Sequence, residues 1–339
     1  MKYSLLLLCL QDAVALPSCR DSQHRVGAWV RYNSSTTSKP RKSFHCCQVE
    51  FSDWQHDPAA CYNPSWNPSM SYTDKHLVSG SIEFPTFVGE HSCLCDKQYG
   101  RDTVSEREMY YWKPHLCELN PFNASTFCHL LGERRILFVG DSTQAQAFST
   151  LANLVHAGNG SCGGQLHYGR INFLVFSHQH SNGLLDWIRI AGIPEILVMS
   201  VGSHLHDVGD MSDIQRRLDP LIGQIRDLYN ETHPVSLVWR TIHPGHVECN
   251  NHTKPLVDVA TIDEKNDKYG WRFFPQFDEM AINSSKRFGY RVLDMSPLYL
   301  RPDAHVGSRY KDDCMHYCTP GPLDLLPQIL QQMLFNKEV

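Results

Sequence analysis

Three side chains have the types and spacing to do chemistry together. Ser142 follows the apolar run Ile136-Leu137-Phe138-Val139, in the sequence Gly140-Asp141-Ser142. Far downstream stand Asp313 and His316, in Asp313-Cys314-Met315-His316. A serine hydroxyl is a weak nucleophile at neutral pH. It needs a base within hydrogen-bond reach, and the base needs an orienting partner. His316 can be that base. Asp313 can orient it, fix its tautomer and stabilise the imidazolium that forms. The chemistry would be acyl transfer through a serine ester. The i, i+3 spacing lets a single turn put both side chains on one side. Asp312, four residues before His316, is the rival orienter. Each half alone has a bland reading. Gly-Asp-Ser after a strand is often a turn with a helix cap, and Asp and His at this spacing commonly pair on surfaces. Their joint occurrence carries the argument. The Gly-x-Ser-x-Gly elbow is a poor fit, because Gln144 holds its last position.

A tetrahedral intermediate also needs donors for its oxyanion. Candidates are the Ser142 N–H, the turn containing Gly202 and His204, and Arg240 after the apolar run at 235–239. Gly202 lets backbone approach a ligand closely, and the competing reading of that turn is a plain strand end. Arg240 either steadies a substrate oxygen or pairs with a carboxylate. His178-x-His180 and His204-x-His206 alternate as strand-borne zinc ligands do. No third ligand is suitably spaced, so no metal is expected.

The elements that must position these residues are legible as a pattern. Short apolar runs recur at 136–139, 171–176, 196–199, 235–239 and 290–293. Helix-compatible spacing covers 143–156. A stronger amphipathic stretch covers 213–229, with Ile214, Leu218, Leu221, Ile225 and Leu228 on one face and Ser212 as its N-cap. A closing helix is expected over 323–335, with Pro322 at its first turn. Fully apolar strands alternating with helices predict a parallel sheet covered on both faces. In such sheets ligands bind outside the carboxyl ends of the strands, which is where Ser142 falls.

The chain has 339 residues, enough for one large core or two modest ones. Its net charge of −5 gives no reason to expect nucleic acid. Residues 1–15 read as a secretory signal: Lys2, an apolar stretch, then Ala13-Val14-Ala15. The stretch is shorter than the roughly 20 residues a spanning helix needs. The competing reading is an uncleaved anchor, the one route by which a membrane enters. Of 13 cysteines, Cys9 lies in that leader, and the even remainder points to disulfides. Cys162, Cys249, Cys314 and Cys318 are candidates within the α/β part, with connectivity open. Sequons at Asn33, Asn123, Asn159, Asn230, Asn251 and Asn283 point to a secretory lumen (ER or Golgi) or the exterior. Residues 16–130 read as a loop-rich, cysteine-rich lobe and 131–339 as the catalytic α/β domain. In the lobe, Trp29, Trp54, Trp66, Tyr62 and Tyr72 either stack on sugar rings or pack around disulfides.

The Gly-Asp-Ser block with a downstream Asp-x-x-His resembles the SGNH-type esterases. More narrowly, residues 313–324 resemble the C-terminal signature of the PC-esterase family, which includes trichome-birefringence-like polysaccharide O-acetyltransferases and, more distantly, a sialic-acid O-acetyltransferase domain. Supporting matches are Trp112-Lys113-Pro114, Arg240-Thr241 with Pro244 and His246, and Arg301-Pro302-Asp303-Ala304-His305. The resemblance implies a three-layer α/β/α, flavodoxin-like core with a parallel sheet and a smaller disulfide-rich N-terminal lobe. It implies Ser142 as nucleophile, His316 as base and Asp313 as its orienter. Gln146 agrees with some relatives and joins Gly202, His204 and Arg240 as a candidate substrate residue. Two positions depart: Ala145 stands where relatives usually carry Arg, and Tyr317 where they carry Trp. The expected function is a serine-dependent carbohydrate O-acyltransferase, moving acetyl from a donor co-substrate to a glycan hydroxyl with no bound cofactor. The alternatives are an acetylesterase and a non-catalytic glycan-binding protein on the same fold.

Overall fold

A computed structural model describes residues 16–32, 77–79, 109–171, 194–229, 235–307, 312–319 and 321–339. In chain order its strands are β1 (Gly27–Arg31), β2 (Leu77–Ser79), β3 (Tyr110–Pro114), β4 (Ile136–Gly140), β5 (Leu166–Arg170), β6 (Ile196–Ser200), β7 (Ser236–Arg240), β8 (Arg291–Leu293), β9 (His305–Gly307) and β10 (Asp313–Tyr317). The α-helices are α1 (Ala124–Leu131), α2 (Ser142–Ala157), α3 (Val208–Leu228), α4 (Phe274–Arg287) and α5 (Leu325–Phe335).

Six strands form one sheet in the order β2-β5-β4-β6-β7-β8. The five from β5 to β8 run parallel, and β2 adds an antiparallel edge. Alternation along each central strand splits the core in two. Ile136 and Phe138 of β4 face one cluster, with Phe148 and Leu151 of α2 and Ile329 and Leu330 of α5. Leu137 and Val139 face the other, with Leu218, Ile222 and Ile225 of α3 and Phe274 and Phe277 of α4. The fold is therefore a three-layer α/β/α sandwich. Covering both faces is why β4 and β6 are buried at every position and read as unbroken apolar runs.

Some sequence expectations shift. The run at 171–176 lies outside the described residues beyond Ile171. The strand found beside β4 is instead β5, whose Leu166 and Tyr168 are buried between polar neighbours. Helix α3 begins at Val208, so Ser212 lies inside it and is not its N-cap. No proline interrupts Val208-Gly209-Asp210-Met211, so the helix extends back through it. The closing helix starts at Leu325, after a 3₁₀ turn at Pro322–Asp324.

Disulfides join Cys19 to Cys117, Cys128 to Cys162 and Cys249 to Cys314, and Cys318 is also disulfide-bonded. The β1–β3 ribbon is tied to the core through its aromatic residues. Trp29 Nε1 donates to the Pro297 carbonyl at 2.8 Å, and Trp112 Nε1 to that of His24 at 2.6 Å. Trp29 thus packs, with the Arg301 guanidinium 4.6 Å from its ring centre. Trp54, Trp66, Tyr62 and Tyr72 lie outside the described residues, as do the leader and the sequons at Asn33 and Asn230. The other four sequon asparagines are exposed, as glycan attachment requires. Among the described residues, no helix is long and apolar enough to cross a membrane.

Candidate active site

Ser142 is the first residue of α2, at the carboxyl end of β4. Crowding shapes this turn. A Cβ at Gly140 would lie 2.0 Å from the Ser200 carbonyl oxygen, so only glycine lets β4 and β6 run this close. The buried carboxylate of Asp141 ties the turn on two sides. Its Oδ1 accepts from Thr143 N–H (2.9 Å) and Thr143 Oγ1 (2.7 Å). Its Oδ2 accepts from Ser203 Oγ (2.6 Å), which fixes the loop after β6 beside Ser142.

Arg240 sits behind this turn and is fully buried. Its Nε donates to Gln144 Oε1 at 2.6 Å, and its Nη2 to Thr143 Oγ1 at 3.0 Å. A third bond runs to the Thr241 carbonyl at 3.0 Å. Burial lowers its pKa to about 10, opposed by the charges of Asp141 and Asp278. The expected alternatives, an oxyanion contact or a carboxylate pair, both give way here. Arg240 braces the first turn of α2 from within.

The candidate base, His316, lies on β10. His316 Nε2 lies 2.8 Å from Ser142 Oγ, and His316 Nδ1 lies 2.8 Å from Asp313 Oδ2. Both side chains are 12% exposed, so solvent reaches them sparingly. The expected single turn is not how the two meet. Asp313 and His316 lie on a strand, where positions three apart face opposite ways. The pairing of β10 with β9 slips between Asp313 and Tyr317. Within that irregularity, Asp313 Oδ1 accepts the N–H groups of Met315 and His316, each at 3.0 Å. The carboxylate folds its own strand and so brings the imidazole onto its other oxygen. The rival Asp312 turns away: it is exposed, has φ of 53° and accepts from Asn250 Nδ2 at 3.1 Å.

Gln146 does not reach toward a substrate. It is buried on α2, and its amide grips the Tyr317 backbone at both ends. Nε2 donates to the carbonyl at 2.9 Å and Oε1 accepts the N–H at 3.1 Å. It therefore locks α2, bearing Ser142, to β10, bearing His316. The neighbouring Ala145 is 9% exposed and belongs to the apolar cluster under α2. Gly202 is buried with φ of 135°, and a Cβ there would lie 2.4 Å from Ile242 Cδ1. His204 is half-buried on the same loop, and His206 is exposed, with Nδ1 3.0 Å from the Tyr269 carbonyl. His178 and His180 lie outside the described residues. Among the described residues, no group of three or more His, Cys, Asp or Glu could hold a metal ion.

Sequence reading missed a buried polar layer behind His316. Arg301 and Asp303 pair there at 2.8 Å, both fully enclosed. His243, His246 and His305 stand in the same region. Burial pulls the pKa of His243 and of His305 well below the ordinary value, and that of His246 down to about 4. All three are therefore neutral at neutral pH. The segments at 240–246 and 301–305 signalled this layer only as arginine and histidine near strand ends, without showing that they are enclosed.

The chain is similar to several known proteins. Residues 195–333 match the family described as PC-Esterase, a GDSL/SGNH-like acyl-esterase family found in Pmr5 and Cas1p. That span contains Asp313 and His316 but not Ser142. The trichome birefringence-like 26 protein of Arabidopsis thaliana is 27% identical over 149 residues, or 34% of this chain and 32% of that protein. Xyloglucan O-acetyltransferase 4 of Populus trichocarpa is 22% identical over 358 residues, or 83% of this chain and 82% of its own. Among solved structures, the acetyl xylan esterase AlAXEase aligns with 60% of this chain and 100% of its own at 12% identity. Its TM-score of 0.37 is too low to build on. The chain thus carries a PC-Esterase match over residues 195–333 and is similar to trichome birefringence-like proteins and xyloglucan O-acetyltransferases.

Proposed function

We propose that the protein is a serine-dependent O-acetyltransferase that acts on a polysaccharide hydroxyl. One observation carries the reading: a single imidazole bridges Ser142 Oγ and Asp313 Oδ2 at 2.8 Å on each side. The acceptor class rests on relatives named as xyloglucan O-acetyltransferases.

In this mechanism His316 Nε2 takes the Ser142 proton as Oγ attacks the acetyl carbonyl of the donor. The positive end of α2, which starts at Ser142, stabilises the oxyanion. As the leaving group departs, His316 returns the proton to it, which leaves an acetyl ester on Ser142. A sugar hydroxyl then gives its proton to the same nitrogen and attacks the ester, and collapse restores Ser142 Oγ–H. Throughout, Asp313 holds Nδ1–H so that Nε2 stays free to accept. Water entering in place of the sugar would give an acetylesterase. The disulfides support assembly in an oxidising compartment, lumenal or extracellular.

The test is incubation with an acetyl donor and a panel of oligosaccharides, beside Ser142→Ala. Oligosaccharide mass gain of one acetyl group indicates transfer, and free acetate alone indicates hydrolysis. Equal turnover by wild type and Ser142→Ala would remove the mechanism.

A further inference from the structure

Behind His316 two buried histidines stand in line between two backbone carbonyls. His246 Nε2 lies 2.9 Å from the Tyr299 carbonyl oxygen. His246 Nδ1 lies 2.7 Å from His305 Nε2, and His305 Nδ1 lies 3.1 Å from the carbonyl oxygen of His316 itself. The His305 ring is also stacked on Tyr317, with centroids 4.2 Å apart and planes 24° apart. Tyr317 is the residue whose backbone Gln146 grips. The segment bearing the base is thus held on one side by an amide and on the other by an imidazole.

Counting protons sharpens this. Three contacts in a row each need one proton, but two neutral imidazoles carry only two. Burial keeps both rings neutral at neutral pH. At 2.7 Å the two facing nitrogens would repel as bare lone pairs, so that contact keeps a proton and one carbonyl end faces a bare nitrogen. A bare acceptor costs least where water can reach it. His246 is 8% exposed and Tyr299 half-buried, whereas His305 is 2% exposed. The bare nitrogen then belongs at the Tyr299 end. That choice puts the His246 proton on Nδ1, donated to His305, and the His305 proton on Nδ1, donated to His316.

We infer that His305, with its tautomer set by His246, is a positioning residue that holds the backbone of the base His316 against Ser142. The inference rests on the acyl-transfer reading above, and the experiment separates the two. Turnover of p-nitrophenyl acetate is measured for wild type, Ser142→Ala, His305→Ala and His305→Asn. The Asn amide nitrogen is bonded to Cγ, as His Nδ1 is, so it keeps the donor to the His316 carbonyl while losing the link to His246 and the ring stacked on Tyr317. A base displaced by a fraction of an ångström to an ångström costs roughly tenfold to a hundredfold. His305→Ala should lose that much in kcat with KM unchanged, and His305→Asn should recover to within about threefold. If Ser142→Ala turns over like wild type, the acyl-transfer reading itself fails. If Ser142→Ala is dead while His305→Ala matches wild type, only the positioning role fails. Equal loss in His305→Ala and His305→Asn would make the role purely structural and overturn it. Should His305→Ala not fold, ¹⁵N spectra of histidine-labelled wild type decide. Protonated Nδ1 on both His246 and His305 is expected, and a proton on His305 Nε2 would refute the inference.

Discussion

Replacing Asp313 by Asn tests whether His316 is prepared as the proposed base, because it removes a charge and almost no volume. The carboxylate serves two masters. Oδ1 accepts two backbone N–H groups at 3.0 Å, and Oδ2 accepts the imidazole proton at 2.8 Å. An asparagine has one acceptor and one donor end. If its NH₂ faced the backbone, two N–H groups would meet a donor, and each lost bond costs about 1–3 kcal/mol in a site this enclosed. The amide oxygen therefore stays on the backbone and the NH₂ faces His316. Nδ1 must then accept, and the ring proton moves to Nε2. That nitrogen now points a proton at Ser142 Oγ and cannot take one. The expected loss is on the order of 10⁴ in kcat, or about 5.5 kcal/mol of transition-state stabilisation. Acetate release from p-nitrophenyl acetate measures it, with thermal melting as the check on folding. Asp312→Asn is the matched control: its carboxylate faces Asn250, so activity should stay within about twofold. Asp313→Asn activity within about tenfold of wild type would refute the tautomer argument, and a large loss in Asp312→Asn would mean the wrong carboxylate was chosen.

Three further outcomes follow from the same geometry. Gly202→Ala should cost roughly 2–4 kcal/mol in urea unfolding, since φ of 135° disfavours a side chain and the new Cβ meets Ile242 and Phe277; an unchanged midpoint would contradict it. Replacing Cys249 and Cys314 together by Ser should cost about 4 kcal/mol, from a loop closed over a separation of 65 residues. Because Cys314 adjoins Asp313, kcat should fall with it, and full activity in the double variant would count against the disulfide's holding that strand. Thermal stability should fall on acidification. His246 has a folded pKa of about 4, below its unfolded 6.5, so the unfolded chain binds the extra proton as pH drops from 6.5 toward 4. His243 and His305 act in the same direction, each contributing a slope of up to about 1.4 kcal/mol per pH unit. Asp278, raised by burial, opposes them with one group against three. Melting measured from pH 7.5 to 5 should therefore show a falling midpoint, and a flat or rising one would disprove the burial of these histidines.

Much of this protein was already written in local pattern. Apolar runs such as Ile136-Leu137-Phe138-Val139 must be buried on both faces, and that requirement alone selects a covered parallel sheet. Ser142 at the end of such a run falls at the ligand-binding edge whatever the rest of the chain does. Other features depended on distant partners and left no local mark. Strand β5 pairs with β4 on only two buried apolar side chains, and a period of two that short is invisible without its neighbour. Asp313 and His316 meet through hydrogen bonds that bend a strand, so their spacing was informative for a reason other than the turn it first implied. Arg240 and Gln146 have the chemistry of substrate-binding residues. Tertiary packing enclosed both and turned them into braces, because a buried guanidinium or amide must spend its donors on whatever polar groups surround it. Residue type determined which groups could react. Burial, which only the folded chain establishes, decided which of them meet solvent and which hold the others in place.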